Sequence, residues 1–312
     1  MAFNLKGRSL LSLKDYTSEE IRYILDISRQ VKEERKAGSI TERFKGKTLA
    51  LLFEKRSTRT RCAFETAFGE EGGYPVFLSK DDIQLGAKET IEDTARVLGR
   101  MFDAIQFRGF KHETVEKLAE YSGVPVYNGL TDKYHPTQIL ADLMTVEENF
   151  GRLKGVKVVF VGDGRNNVAN SLLIGCSKMG VDFTVVAPES LFPGSELVSY
   201  VRNEAAKSGS SVKVTSSVEE GVKDADVIYT DVWVSMGEED KQKERYEMLK
   251  PYQVNADLMA KTGKRETIFM HCLPAVKGNE VTFDVIEGPA SRVWDEAENR
   301  KHTIKAIMLA TI

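Results

Sequence analysis

Lys47-Thr48-Leu49-Ala50-Leu51-Leu52-Phe53-Glu54 is a short apolar run that breaks into Lys55-Arg56-Ser57-Thr58-Arg59-Thr60-Arg61, after which Ala63, Phe64, Ala67 and Phe68 recur at helical spacing. A continuous apolar run without alternation suits a strand buried on both faces, as in a parallel sheet. The change of period from strand to helix across a polar turn, closed by Gly72-Gly73, is the repeating unit of an α/β fold.

The unit recurs in both directions. Thr17 with Glu20 is a capping box that opens a helix through Ile21, Ile24, Leu25 and Ile27. Residues 75–78, 104–107 and 125–127 read as further strands, with helices over 89–101 and 113–122. A longer helix over 137–150, apolar at Ile139, Leu140, Leu143, Met144 and Val146, bridges to a second series. That series opens with the strongest strand signal of the chain, Val156-Lys157-Val158-Val159-Phe160-Val161, followed by a helix over 167–179. Strands at 183–187, 212–215, 227–230 and 267–271 and a last helix over 296–312 complete it. The expected architecture is α/β with two domains, each an open parallel sheet flanked by helices. The expected boundaries are 1–150 and 151–295, with the helix over 296–312 packing back on the first domain.

Composition narrows the function classes. The chain has 312 residues, and 44 Lys plus Arg against 47 Asp plus Glu give a net charge of −3. This balance argues against a dedicated nucleic-acid binder, which needs a basic face. No apolar run approaches the roughly 20 residues that cross a bilayer, and residues 1–13 lack the apolar core of a secretory signal. Cys62, Cys176 and Cys272 show no CxxC spacing, so a reduced, cytoplasmic protein is expected. Cys62 and Cys176 read as buried on apolar helix faces, and His112 and His302 as surface residues. His112, His135, His271 and His302 are too scattered for a metal motif such as HExxH.

In open α/β sheets ligands sit beyond the carboxyl ends of the strands, so the turns after the strands are where chemistry is sought. The turn at 55–61 sets hydroxyls and cationic side chains at a helix N-terminus, whose unpaired N–H groups attract anions. It lacks the glycines and Gly-Lys ending of a P-loop. After the strongest strand, Gly162-Asp163-Gly164-Arg165-Asn166-Asn167 lacks the third glycine of a dinucleotide fingerprint, and Asp182 only mimics its acidic partner. An NAD-dependent oxidoreductase is therefore a weak alternative.

Ser57-Thr58-Arg59-Thr60-Arg61 resembles the carbamoyl-phosphate motif of the aspartate and ornithine carbamoyltransferases. Phe107-Arg108-Gly109 and His135-Pro136-Thr137-Gln138 resemble the next motifs of that family. Asp231-Val232-Trp233-Val234-Ser235-Met236-Gly237 and His271-Cys272-Leu273-Pro274 resemble its ornithine-type motifs. The resemblance covers nearly the whole chain, in order. It implies that Ser57, Thr58, Arg59 and Thr60 hold the phosphate, that Arg108 and His135 join Thr60 around the carbamoyl oxygen, and that Gln138 and the Leu273 main chain meet the carbamoyl amide. It assigns Arg300 to carbamoyl phosphate, and Gln84, in the loop that also carries Lys88, to a neighbouring subunit's site. It assigns Asn167, Asp231, Ser235 and Met236 to ornithine, with Asn166 leaving a one-residue ambiguity, and uses Cys272 with Asp231 to orient the side-chain amine. The implied reaction is transfer of the carbamoyl group from carbamoyl phosphate to L-ornithine, giving L-citrulline and phosphate. It would proceed by direct attack of the neutral amine, without metal or organic cofactor, in a homo-oligomer built on trimers. A carbamoyltransferase for putrescine or aspartate, or a silent phosphate-binding paralogue, are the alternatives. Because neighbouring strand residues point to opposite faces, His271 is expected to be poorly placed to activate Cys272.

Overall fold

The structure is a computed structural model and describes residues 3–39, 41–83, 89–234 and 242–312. The chain forms two compact units, residues 1–144 with 298–312, and residues 145–297.

The first unit runs α1 (Ser18–Lys36), β1 (Thr48–Phe53), α2 (Thr58–Gly69), β2 (Tyr74–Ser79), α3 (Ile91–Met101), β3 (Ala104–Arg108), α4 (His112–Ser122), β4 (Val126–Leu130) and the start of α5 (Pro136–Phe150). All strands pair in parallel, in the order β2-β1-β3-β4. Leu49, Ala50, Leu51 and Leu52 are each 0% exposed, which is why the run lacks alternation. At the start of α1 the capping box forms: Glu20 N–H donates to Thr17 Oγ1 at 3.2 Å, and Thr17 N–H to Glu20 Oε2 at 2.8 Å.

In the second unit, the elements are β5 (Lys157–Val161), α6 (Asn167–Lys178), β6 (Asp182–Val186), α7 (Ser195–Ser208), β7 (Val212–Thr215), α8 (Val218–Val222), β8 (Val227–Thr230), α9 (Gln242–Leu249), α10 (Ala256–Ala260), β9 (Ile268–His271), α11 (Phe283–Ile286) and the start of α12 (Val293–Thr311), which belongs to the first unit from Glu298 on. The parallel order is β7-β6-β5-β8-β9. In both sheets the first strand of the series is central, so the order reverses between β1 and β3 and between β5 and β8. In open α/β sheets, ligands bind beyond the strand ends at such reversals.

The end of α12 packs into the first unit. Tyr127 and Thr311 hydroxyls meet at 2.7 Å, and Lys32 Nζ donates to Asn299 Oδ1 at 2.7 Å. Lys305 on α12 reaches Glu71, just beyond α2, at 3.1 Å. Glu71 also accepts from Arg43 and from the Thr41 hydroxyl at 2.8 Å each. Burial alone would raise its carboxyl, but these donors outweigh it and hold Glu71 at about 2 against an ordinary 4.5. A depressed carboxylate stabilises the fold above its unfolded value and loses that contribution as pH falls toward its folded value. Glu71→Gln is therefore expected to lose about 3 kcal/mol at neutral pH. In paired thermal melts the gap from the unmodified chain should close between pH about 5 and about 2; a gap independent of pH would refute the account.

Several expectations are corrected. His112 and His302 are buried, at 4% and 0% exposure. His112 Nδ1 lies 2.9 Å from Thr131 Oγ1, and His302 Nε2 lies 3.3 Å from Glu298 Oε1. Each imidazole thus has a polar partner that makes burial affordable. Cys62 is exposed rather than buried, while Cys176 is buried as expected. Helix α7, which buries Val201 and Ala205, has no counterpart in the sequence reading, although Leu197, Val198, Val201 and Ala205 recur at helical spacing. Among the described residues no helix is long and apolar enough to cross a membrane.

Candidate active site

The first cluster forms beyond β1 and β3. Ser57 caps α2 by accepting from Thr60 N–H at 3.2 Å. This fixes the turn and aims the helix N-terminus outward. Thr60, on the first turn of α2, is 1% exposed, and its hydroxyl accepts from Arg108 Nη1 and from Arg300 Nη2 at 3.3 Å each. Arg108 ends β3 and Arg300 lies on α12, so neighbours in space come from three distant segments. Arg300 also donates to Gln138 Oε1 at 2.7 Å and to Thr137 Oγ1 at 3.3 Å.

His135 stands just before α5 and is 4% exposed. Burial, then the charges of Arg300, Arg108 and Arg59, push its imidazole well below the ordinary value of 6.5. His135 is therefore neutral at physiological pH and able to donate one hydrogen bond to an oxyanion without adding charge. Arg61 is used otherwise. Its guanidinium lies 3.6 Å from the Phe77 ring centroid and its Nε 2.9 Å from Glu65. Arg61, Phe77, Ser57 and Thr58 line a cavity of about 520 Å³ at this turn.

The second cluster forms beyond β5, β8 and β9. Asp231 follows β8 and is 9% exposed. Its Oδ1 accepts from Val232 N–H at 2.8 Å and from the Cys272 thiol at 3.2 Å, and its Oδ2 accepts from Asn166 Nδ2 at 3.1 Å. Burial, helped by the charge of Glu280, raises its carboxyl above the ordinary range, against the pull of His271, the Cys272 thiol and the Val232 main-chain N–H. Asn166 caps α6 through Ala169 N–H at 2.7 Å, so one amide serves both the helix and the carboxylate. The side chain set against Asp231 is thus that of Asn166, whereas Asn167 is the first residue of α6. Gly164 leaves no room for a side chain, since a Cβ there would meet Val185 at 2.7 Å and the Leu191 carbonyl at 2.9 Å. Packing thus explains this glycine without a dinucleotide.

Strand alternation alone would put His271 and Cys272 on opposite faces, but β9 ends at His271 and the chain turns with Leu273 at φ 58° before the cis Leu273-Pro274 bond. One ligand atom each of Asp231, His271 and Cys272 consequently lies within 4.8 Å of the others. His271 accepts from Leu273 N–H at Nδ1 (2.8 Å) and meets Glu280 Oε1 at Nε2 (3.3 Å). Both ring nitrogens are engaged, so the trio is held by hydrogen bonds and has no spare imidazole nitrogen for a metal. Cys272 donates to Asp231, not to His271. Gln84, Lys88, Ser235 and Met236 lie outside the described residues.

Two family models match the chain. The aspartate/ornithine carbamoyltransferase carbamoyl-P binding domain covers residues 8–148, and the Asp/Orn binding domain of the same enzymes covers residues 154–311. The chain belongs to the aspartate/ornithine carbamoyltransferase family. An ornithine carbamoyltransferase of Caldanaerobacter subterraneus is 70% identical over 312 residues, covering 100% of both chains, and that of Thermotoga maritima matches over the same span at 70%. The solved ornithine carbamoyltransferase of Pyrococcus furiosus is 50% identical, covers 99% of this chain and 98% of its own, and superposes with a TM-score of 0.96.

Within this family setting, the structure brings Thr60, Arg108, His135, Gln138 and Arg300 together, and separately Asp231, Cys272 and Asn166. It adds Asp142, 2% exposed, which accepts from Gln138 Nε2 at 2.9 Å and thereby turns Gln138 Oε1 toward Arg300. It also adds Asp163, paired with Arg245 at 2.9 Å and accepting from Arg165 N–H at 3.0 Å, which braces the turn leading to Asn166. The four-residue spacing of Gln138 and Asp142 on a helix was the available sign of the first. Nothing local marks the second, since 82 positions separate Asp163 from Arg245 (245 − 163).

Proposed function

We propose that the chain transfers the carbamoyl group of carbamoyl phosphate to the side-chain amine of L-ornithine, forming L-citrulline and phosphate. The observation that carries this is a neutral, buried His135 held among Arg59, Arg108 and Arg300 beside the Thr60 hydroxyl. Such a set stabilises a phosphate leaving group and the charge that develops on a carbamoyl oxygen. Ser57, Thr58, Arg59 and Thr60 hold the phosphate; Arg108 and His135 face the carbonyl; Gln138 and the Leu273 main chain take the carbamoyl amide. In the second unit, Asp231 and Cys272 orient the attacking amine, and Asn167 takes the amino-acid contact, since the Asn166 amide is already engaged by Ala169 N–H and Asp231.

The amine nitrogen attacks the carbamoyl carbon, the carbon–oxygen bond to phosphate breaks, and the amine proton is lost to solvent or to the departing phosphate. The test is citrulline formation from carbamoyl phosphate and ornithine, run beside putrescine and aspartate. Turnover with putrescine and none with ornithine would overturn the acceptor assignment.

A neutral amine is required, and a lysine-like amine has a pKa of about 10.4. The ornithine kcat/KM is expected to rise about tenfold per pH unit from about 6.5 to 8, with no inflection from His135. An inflection near 6.5 that vanishes in His135→Gln would refute the neutral-histidine reading.

The chain is further expected to act in the cytoplasm as a homo-oligomer built on trimers. The free edge strand β2, with Tyr74 at 69% exposure, supports self-association. Light scattering should give a mass of three chains or a multiple, and a monomer would overturn this.

A further inference from the structure

The residues 272–275, which carry Cys272 and Leu273, are gripped by a carboxylate that no assignment above uses. Glu280 is 0% exposed. Its Oε1 accepts from Val276 N–H at 2.6 Å and lies 3.3 Å from His271 Nε2. His271, also 0% exposed, accepts Leu273 N–H at Nδ1, so its ring proton sits on Nε2 and points to Glu280. A single carboxylate oxygen therefore ties both ends of the loop, directly at Val276 and through the imidazole at Leu273.

Between those ties Leu273 holds φ 58°, a left-handed conformation that a side chain with a Cβ disfavours. Such a residue persists where its surroundings over-determine it, and such sites gather where geometry matters to function. The surroundings here are specific. The Leu273 side chain packs on the core of the second unit, and its N–H is taken by His271. The His271 N–H in turn donates to Glu296 Oε2 at 2.9 Å, and Glu296 Oε1 accepts from the Tyr229 hydroxyl at 3.0 Å. The imidazole is fixed at its main chain and at both ring nitrogens.

We propose that Glu280 is a positioning residue for carbamoyl transfer: acting through His271, it fixes the Leu273 main chain and sets the Cys272 thiol on Asp231. This rests on the assignment of Cys272 and Leu273 to the reaction. Glu280 touches no reacting atom. Its effect is to hold one backbone conformation, and a misplacement of about 1 Å at a reacting geometry costs on the order of a hundredfold in rate.

The test compares Glu280→Gln, Glu280→Asp and Glu280→Leu in the full chain, by kcat and KM for ornithine, affinity for inorganic phosphate, and thermal melting. Glutamine keeps an acceptor oxygen at the same reach, so Glu280→Gln should retain ornithine kcat/KM within about fivefold. The shorter aspartate should lose at least about tenfold and leucine about a hundredfold, with phosphate affinity unchanged in each. Should Glu280→Leu fail to fold, the aspartate and glutamine variants decide the matter. A folded Glu280→Asp with undiminished kcat/KM, or equal losses in phosphate affinity and in ornithine turnover, overturns the proposal. If the unmodified chain forms no citrulline, the functional reading fails first and takes this assignment with it.

Discussion

Arg108→Ala should lower kcat/KM for carbamoyl transfer by about a thousandfold while the protein still folds. Arg108 is 8% exposed at the end of β3, where the strand delivers it beside Thr60. Its main-chain carbonyl accepts from Glu54 N–H at 2.9 Å, so the backbone that carries it is pinned to the residue after β1. A donor so fixed pays no reorganisation when charge develops on the carbamoyl oxygen. Lysine would not replace it, because a point charge cannot reach two oxygens in the fork geometry of a guanidinium. Stability should move little or upward, since the substitution removes one of several like charges crowded at the site. The same change deletes one of the charges that depress His135, so the imidazole should titrate closer to its ordinary range. Steady-state kinetics, melting and an NMR titration of His135 check the three parts. A loss under about tenfold would remove Arg108 from the reacting atoms.

The second large effect is expected at Asp231. Asp231→Asn should reduce kcat/KM for ornithine by about a thousandfold and leave phosphate affinity unchanged. The carboxylate receives three donors, from Val232, Cys272 and Asn166. An asparagine offers one acceptor oxygen and turns an N–H₂ toward a thiol and an amide that are themselves donating. It also removes the charge that attracts the ammonium form of ornithine to a buried carboxylate. Burial raises the Asp231 carboxyl, so it protonates at a higher pH than an exposed aspartate. KM for ornithine should therefore climb as pH falls through that raised value, an effect the asparagine variant should lack. Equal losses for both substrates would show a collapsed fold and refute the assignment.

Much of this protein is legible in the chain itself. Strands β1 and β5 announce themselves because burial on both faces demands unbroken apolar runs, and a run is a local property. The turn at 55–61 is legible for a related reason: a helix N-terminus and its anion-binding side chains are contiguous in sequence. The order of the family's motifs then identified the reaction without coordinates. What the sequence left open depends on partners far along the chain. The hydrogen bond of Asn166 to Asp231 spans 65 positions, and the contact of Arg300 with Thr60 spans 240. Burial of His112 and His302 is set by the packing of their helices: the partner of His112, Thr131, lies 19 positions on, whereas that of His302, Glu298, is a helical neighbour whose presence alone does not signal burial. The clamp on Leu273 is hidden for another reason, since its residues lie within ten positions of one another. Its three parts, Glu280, His271 and a positive φ, are unremarkable as letters and become one device only where β9 ends and the loop folds back onto a single carboxylate oxygen. Local periodicity and motif order determined the fold and the chemistry; long-range hydrogen bonds in a water-poor interior, where an unmet polar group is costly, decided the geometry.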